Sequence, residues 1–231
     1  GSLASVVAPP YDVIDAALQQ TLYDASPFNA IRVELTKDEP GDTDAANKYT
    51  RAAGTLKDWI NAEALRQAPE KVRPHLGRLA KGDDHAFIAA NAALFEDGGF
   101  VLLPRGTTIG PPLALVFVAD AAAGPAAIHP RTLIVAEEGS RATVEELFLG
   151  RGPSLTNAVT EIVLADGAQI EHVRLQVAAA EAFHVGVVHA EQGAEASLAA
   201  HAFTLGARLS RSELRARLQG EGGRVAANGL A

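Results

Sequence analysis

Residues 132–149 run Thr132-Leu133-Ile134-Val135-Ala136, then Glu137-Glu138-Gly139, then, past Ser140-Arg141-Ala142, Thr143-Val144-Glu145-Glu146-Leu147-Phe148-Leu149. Two runs rich in Val, Leu, Ile and Phe flank a corner made of two acids and a glycine. Runs of this length with a turn between them read as strands, and neither carries a helical stripe. The same corner returns along the chain as Glu96-Asp97-Gly98, Ala165-Asp166-Gly167, Glu191-Gln192-Gly193 and Glu221-Gly222. After a first interval of 41 residues, these glycines fall 28, 26 and 29 residues apart. A period of that size is expected of stacked solenoid coils, two strands to a coil.

Working outward, the strands expected after Gly99 are Phe100 to Leu103, Leu113 to Val118, Thr132 to Ala136, Thr143 to Leu149, Ala158 to Leu164, Ile170 to Val177, His184 to His189, Ser197 to Thr204 and Leu209 to Leu218. No crossover helix separates them, which leaves a sandwich, a barrel or a β-solenoid. The even corners favour the solenoid. Residues 68–98 read as a linker, Ala68 to Pro74, and an amphipathic helix. That helix opens at Asp83 or Asp84, presents Phe87, Ile88, Asn91, Leu94 and Phe95, and ends at Asp97-Gly98-Gly99 on a left-handed glycine.

Residues 1–67 form a small α/β segment. Pro9-Pro10 blocks helix and ladder alike, and Asp15 caps a short helix. Asn29 to Leu35 alternates as a strand does. Ala45, Tyr49, Ala52, Ala53, Leu56, Trp59 and Ile60 make one helical stripe. Pro9-Pro10-Tyr11-Asp12 is a rigid turn, with a ligand site as the alternative reading.

Composition narrows the function. The net charge of -8 opposes binding to a phosphate backbone. No run of about 18 apolar residues supports a membrane span. The 231 residues contain no cysteine, so they supply no disulfide, thiol nucleophile or thiolate ligand, and a cytoplasmic location is expected. No Gly-x4-Gly-Lys-Ser/Thr string is present, so ATP use falls to another subunit.

The longer strings resemble the core of SufD, a component of the SUF iron-sulfur cluster assembly system. They are Ala92-Ala93-Leu94-Phe95-Glu96-Asp97-Gly98-Gly99-Phe100-Val101, Leu103-Pro104-Arg105-Gly106, His129-Pro130-Arg131-Thr132-Leu133-Ile134-Val135, Leu155-Thr156-Asn157-Ala158-Val159-Thr160-Glu161, Ala182-Phe183-His184-Val185-Gly186, and Gly220-Glu221-Gly222 leading to Asn228-Gly229-Leu230. The resemblance implies a mainly β fold, a right-handed parallel β-helix, preceded here by the small α/β segment. It implies a scaffold subunit without catalysis, paired with a SufB-like homologue and a SufC-like ATPase. It implies no cofactor on this chain alone, and an Fe-S cluster only with a partner subunit. Ala8-Pro9-Pro10-Tyr11-Asp12-Val13-Ile14 and Pro27-Phe28-Asn29-Ala30-Ile31-Arg32 resemble instead the opening of a bacterial family of unknown function. The chain therefore reads as a chimera whose β-helix core, residues 99–231, stops before the family's C-terminal helices. A homodimer through the open β-helix is a further expectation.

Four histidines, His172, His184, His189 and His201, lie in expected strands of successive coils. Stacking can bring them into a column able to bind Fe or Zn. Strand alternation, however, puts His172 and His184 on different faces, and the plainer reading is hydrogen-bonded strand residues. His129 reads as a turn residue, and His75 and His85 carry no assigned role. Arg208, Arg211, Arg215 and Arg217 form a basic stretch suited to a partner's carboxylates, or else a solvated strand face. The carboxylates Glu137, Glu138, Glu145, Glu146, Glu161, Asp166, Glu171, Glu181 and Glu191 read mostly as corner residues. A β-helix enzyme acting on polysaccharide would need some of them around Ca²⁺, with aromatic stacking groups. Tyr11, Tyr23, Tyr49 and Trp59 all lie outside the solenoid. The third reading is a fused or truncated product with no activity of its own.

Overall fold

Alternation of buried and half-buried residues decides the architecture. In the computed structural model the described residues are 69–231, except Asp84, Glu96, Asp97, Ala122 and Ala123. The expectations for Pro9-Pro10, Asp15, Asn29 to Leu35 and the Ala45 to Ile60 stripe lie outside them. Two helices come first, α1 (Pro69–Val72) and α2 (Ala86–Leu94). Eleven strands follow: β1 (Phe100–Leu103), β2 (Leu113–Asp120), β3 (Ala126–Ile128), β4 (Arg131–Ala136), β5 (Arg141–Arg151), β6 (Ser154–Leu164), β7 (Gln169–Ala178), β8 (Phe183–Gln192), β9 (Ser197–Gly206), β10 (Leu209–Leu218) and β11 (Arg224–Leu230).

Every ladder is parallel. One sheet has the order β1-β4-β6-β8-β10, with β3 also on β6, and the other β11-β9-β7-β5-β2. The chain alternates between the sheets, so each coil contributes one strand to each. This is the expected β-solenoid. Register follows the repeat: Arg141 pairs Gln169, which pairs Ser197, which pairs Arg224. Between the sheets Val101, Ile134 and Ile162 face Val144, Ile170 and Leu198 in one dry cluster. Burying each such side chain contributes about 1.5–3 kcal/mol.

The two sheets differ on their outer sides. In the β11-β9-β7-β5-β2 sheet, β5 and β7 alternate buried with exposed or half-buried positions, the pattern of a sheet covered on one face. In the other sheet all six residues of β4 are buried. The cover is residues 69–95, which cross that outer face as a strap. Val72 packs with Phe100, Leu133 and Val135, and Ile88 with Ala80, Val159 and Val187. Residues 69–74, expected as linker, thus hold α1, of which Val72 is buried while Glu70, Lys71, Arg73 and Pro74 are exposed. The helix α2 is capped at its start by His85, whose Nδ1 accepts from the Ile88 N–H, and not by an aspartate. It closes at Phe95 in extended backbone, φ −68°, and neither Gly98 nor Gly99 has a positive φ. Its buried face is narrower than expected: Ile88 and Asn91 are buried, whereas Phe87 and Leu94 are exposed.

The corners obey one hydrogen-bond ladder, with a phase different from that of the glycines. Gly106 N–H donates to Glu138 O, Gly139 to Asp166 O, Gly167 to Ala194 O and Glu195 to Glu221 O. The residue at each donor position has positive φ: 69°, 67°, 69° and 55°, and 71° at the next corner, Gly222. Gly98 and Gly193 are therefore not the turning residues; Gly106 and Glu195 are. Glu195 carries a Cβ in a conformation that costs a side-chain-bearing residue about 1 kcal/mol or more. Glu195→Gly is expected to raise stability by about 0.5–1 kcal/mol, and Gly167→Ala to lower it by about 1–2 kcal/mol. Urea unfolding of the pair checks this; equal shifts in one direction would refute the shared corner geometry.

Candidate functional site

Polar residues enter the solenoid interior from both sheets. On β5, Glu146 is in phase with Val144 and Phe148, so it points inward and is fully buried. The Thr160 hydroxyl on β6 lies 2.8 and 3.1 Å from its two oxygens, and His172 Nε2 on β7 lies 2.9 Å away. Arg174 Nε stands at 3.8 Å. Burial pushes the Glu146 carboxyl up, but the His172 hydrogen bond, the His172 and Arg174 charges and the Thr132 hydroxyl outweigh it and hold the group at about 2. It is an anion that serves as acceptor.

Arg174 crosses the interior from β7 toward β8. Its guanidinium lies 5.2 Å from the centre of the Phe148 ring, and its Nη2 approaches His184 Nε2 at 3.4 Å. Phe148 stacks on Phe117 and meets His184 edge-on. Burial, with the Arg174 charge beside it, drives His184 down to about 3 against the opposing pull of Glu146. Neutral His184 can accept from the arginine. The Nε of Arg174 and the Oε1 of Gln176 have no hydrogen-bond partner. Opposite the guanidinium lies Gly186; a Cβ there would fall on it. Gly186→Ala is expected to cost about 1–3 kcal/mol. That penalty shrinks in an Arg174→Met background, with about 1 kcal/mol or more of coupling in a double-mutant cycle by chemical denaturation. Additive losses would contradict this packing.

A second cluster ties the strap to the outer face. Arg131 on β4 and Glu161 on β6 are 2% and 0% exposed. Glu161 accepts from the N–H groups of Gly77, Leu79 and Ala80 at 2.7, 2.8 and 3.1 Å, and from Arg131 Nη2 and Nε at 2.8 and 3.1 Å. Asn91 on α2 donates to the Pro130 and Asn157 carbonyls. Arg78 pairs with Glu191 and His85 with Glu213, extending the attachment to β8 and β10.

The four histidines do not stack in a column. His172 and His184 meet within the interior cluster; each faces inward because they sit on opposite sheets. His189 faces out beneath the strap, its Nδ1 2.9 Å from Leu79 O. His201 lies on the other outer face, with Nδ1 3.2 Å from Asn228 Nδ2 and Nε2 3.6 Å from Glu171. Among the described residues no three His, Asp or Glu are arranged to hold a metal ion. His85 is a helix cap and an ion-pair partner of Glu213.

Arg211, Arg215 and Arg217 lie on the outer side of β10, and Arg208 just before that strand. Arg208 sits over the Phe183 ring, Arg211 pairs with Glu213, and Arg217 is 3.7 Å from Glu191. Among the described residues the carboxylates are not gathered to hold a metal ion. Glu138 pairs with Arg105, Asp166 accepts from the Ala194 N–H, and Glu146 and Glu161 are sealed inside. The sequence reading missed these last two as the centres of the clusters. Glu146 had a signal, the parity that places it in phase with two apolar neighbours. Glu161 had none, since its burial depends on a strap from 81 to 84 residues earlier.

Residues 117–231 match the family model of the SufBD core domain of SUF-system FeS cluster assembly. Residues 1–73 match a family described as a protein of unknown function, DUF1015. An iron-sulfur cluster assembly SufBD family protein of Synechocystis is 28% identical over 180 residues, covering 74% of this chain and 39% of that protein. One from Arabidopsis thaliana is 32% identical over 169 residues, 72% of this chain and 34% of that protein. A chloroplastic member from the same plant is 37% identical over 120 residues, 50% of this chain and 21% of that protein. The chain thus spans well under half the length of these relatives. Among the described residues no helix is long and apolar enough to cross a membrane.

Proposed function

Through its solenoid this chain belongs to the SufBD family of iron-sulfur cluster assembly, and on that footing we propose that it is a SufD-like, non-catalytic scaffold subunit. The observation that carries the scaffold reading is where its reactive groups are. Glu146, His172 and His184 are at most 2% exposed and are committed to one another and to Arg174 and Thr160. Groups held in this way stiffen a body and have no path to a substrate. What faces outward, beside the strap, is parallel ladder, suited to protein contact.

In this reading the chain pairs with a SufB-like homologue, and a SufC-like ATPase supplies the energy of nucleotide hydrolysis. The cluster is cargo. Its thiolate ligands come from the partner, since these 231 residues have no cysteine. The arginines of β10, Arg211, Arg215 and Arg217, with Arg208, are the proposed contact to partner carboxylates. The interior ion network keeps neighbouring coils in register while such contacts form and break.

Co-expression with a SufB-like homologue and a SufC-like ATPase tests the proposal. Co-migration of all three on size exclusion, weakened by Arg215→Glu, supports it. Separate migration of the three at micromolar concentration contradicts it.

A further inference from the structure

The outer face of the β11-β9-β7-β5-β2 sheet carries a feature that the scaffold reading does not use. Register stacks Arg141, Gln169, Ser197 and Arg224 in one column at the start of β5, β7, β9 and β11. Thr143, Glu171, Ala199 and Ala226 form the next outward column. A groove of about 440 Å³ runs along both. Its depth has a simple cause: Ser197, Ala199 and Ala226 are small, so β9 and β11 leave room beside the larger Gln169 and Glu171 of β7.

The charges at its ends are unspent. Arg105, Arg131, Arg151 and Arg211 each have a carboxylate at ion-pair distance. Among the described residues Arg141 and Arg224 have none, in a chain of net charge -8. Between them Glu171 is held by the Thr143 hydroxyl at 3.2 Å and by His201 at 3.6 Å. The groove therefore reads positive, neutral, neutral, positive, with one carboxylate along its middle.

We propose that this groove binds an extended acidic segment of a partner protein. Neighbouring strands lie about 4.8 Å apart, so three steps separate Arg141 from Arg224 by about 14 Å. An extended peptide rises about 3.3 Å per residue, so carboxylates four residues apart span about 13 Å and reach both guanidiniums. Each arginine can take a carboxylate bidentately. Gln169 and Ser197 face the intervening peptide backbone, which supplies both donors and acceptors. A nucleic acid backbone fits worse, because its evenly spaced phosphates would set an anion against Glu171. The proposal goes beyond the assembly function and does not depend on it.

The test is fluorescence anisotropy of a labelled peptide, glutamate–serine–alanine–serine–glutamate, titrated with the whole chain. Binding is expected, weakened about tenfold by Arg141→Glu and by Arg224→Glu, as the loss of one charge-assisted contact implies. Arg73→Glu, an equal charge change on the strap over the opposite sheet, should shift the affinity by less than about twofold. Moving the two glutamates to adjacent positions should also cost about tenfold. All three arginines are exposed, and unchanged thermal unfolding of the variants shows that the fold persists. Three results would each overturn the proposal: no binding by the parent, equal losses from Arg73→Glu and Arg141→Glu, or tighter binding of a single-stranded oligonucleotide than of the peptide.

Discussion

Glu161→Ala is expected to destabilise the folded chain by about 3–5 kcal/mol, because it takes a buried carboxylate away from a guanidinium and from three backbone N–H groups at once. The substitution strips Arg131 of two hydrogen bonds and the Gly77, Leu79 and Ala80 N–H groups of their only acceptor in the cluster. A guanidinium at 2% exposure cannot recover water without opening the strap. The effect therefore has a location as well as a size. Amides of residues 77–80 should lose hydrogen-exchange protection, and protease should cut in the strap first. Core amides of β6 and β8 should follow only with global unfolding. Replacing both partners, Glu161→Met with Arg131→Met, should recover only part of the loss, since the strap N–H groups still lack their acceptor. A loss below about 1 kcal/mol with residues 77–80 still protected would show that the carboxylate does not hold the strap.

Acid should unfold the protein through the interior cluster, and His184→Gln should blunt that response. His184 titrates at about 3 in the folded chain and near 6.5 when unfolded. Between those values the unfolded chain binds the extra proton, so stability falls as pH drops from 6.5 toward 3. Glu146, at about 2 when folded against 4.5, has the same sign, and its contribution is lost as pH falls from 4.5 toward 2. One histidine so displaced accounts for about 3 kcal/mol between pH 6.5 and 4. Glutamine can still accept from Arg174 but cannot take the charge. His75 and His129, each lowered by burial, add to the parent's slope, so the readout is the difference between variant and parent. Chemical denaturation at a series of pH values should give the variant a slope lower by about one proton between about pH 4.5 and 6. Coincident slopes would place His184 in water or keep it charged.

Both predictions concern residues whose importance the sequence showed unequally. Strand positions were legible because β5, β7 and β9 are covered on one side, and their alternation is the physical trace of that. β3 escaped notice because three residues after Gly124-Pro125 are too short for any period. β11 escaped because Ala226, Ala227 and Gly229 carry little apolar contrast. The repeat was visible through glycine, yet the turning residue is set by the hydrogen-bond ladder, which accepts Glu195 as well as Gly167. An extra residue in the last corner restored the glycine phase at Gly222 and concealed the slip. Histidines attracted attention for their chemistry, but the interior is organised by Glu146 and Arg174. An inward glutamate becomes intelligible only when the opposite sheet is known to bring Thr160 to it. Glu161 is a stronger case, since its partners come from the strap and from Arg131, thirty residues upstream.

The central claim is that the solenoid serves cluster assembly as a body and not as a ligand set. Anaerobic reconstitution with iron and sulfide, followed by gel filtration and metal analysis, tests it most directly. The account predicts that the chain alone elutes without bound iron or sulfide, and that both elute with it only when a cysteine-bearing SufB-like partner is present. Stoichiometric iron and sulfide on the chain by itself would contradict it.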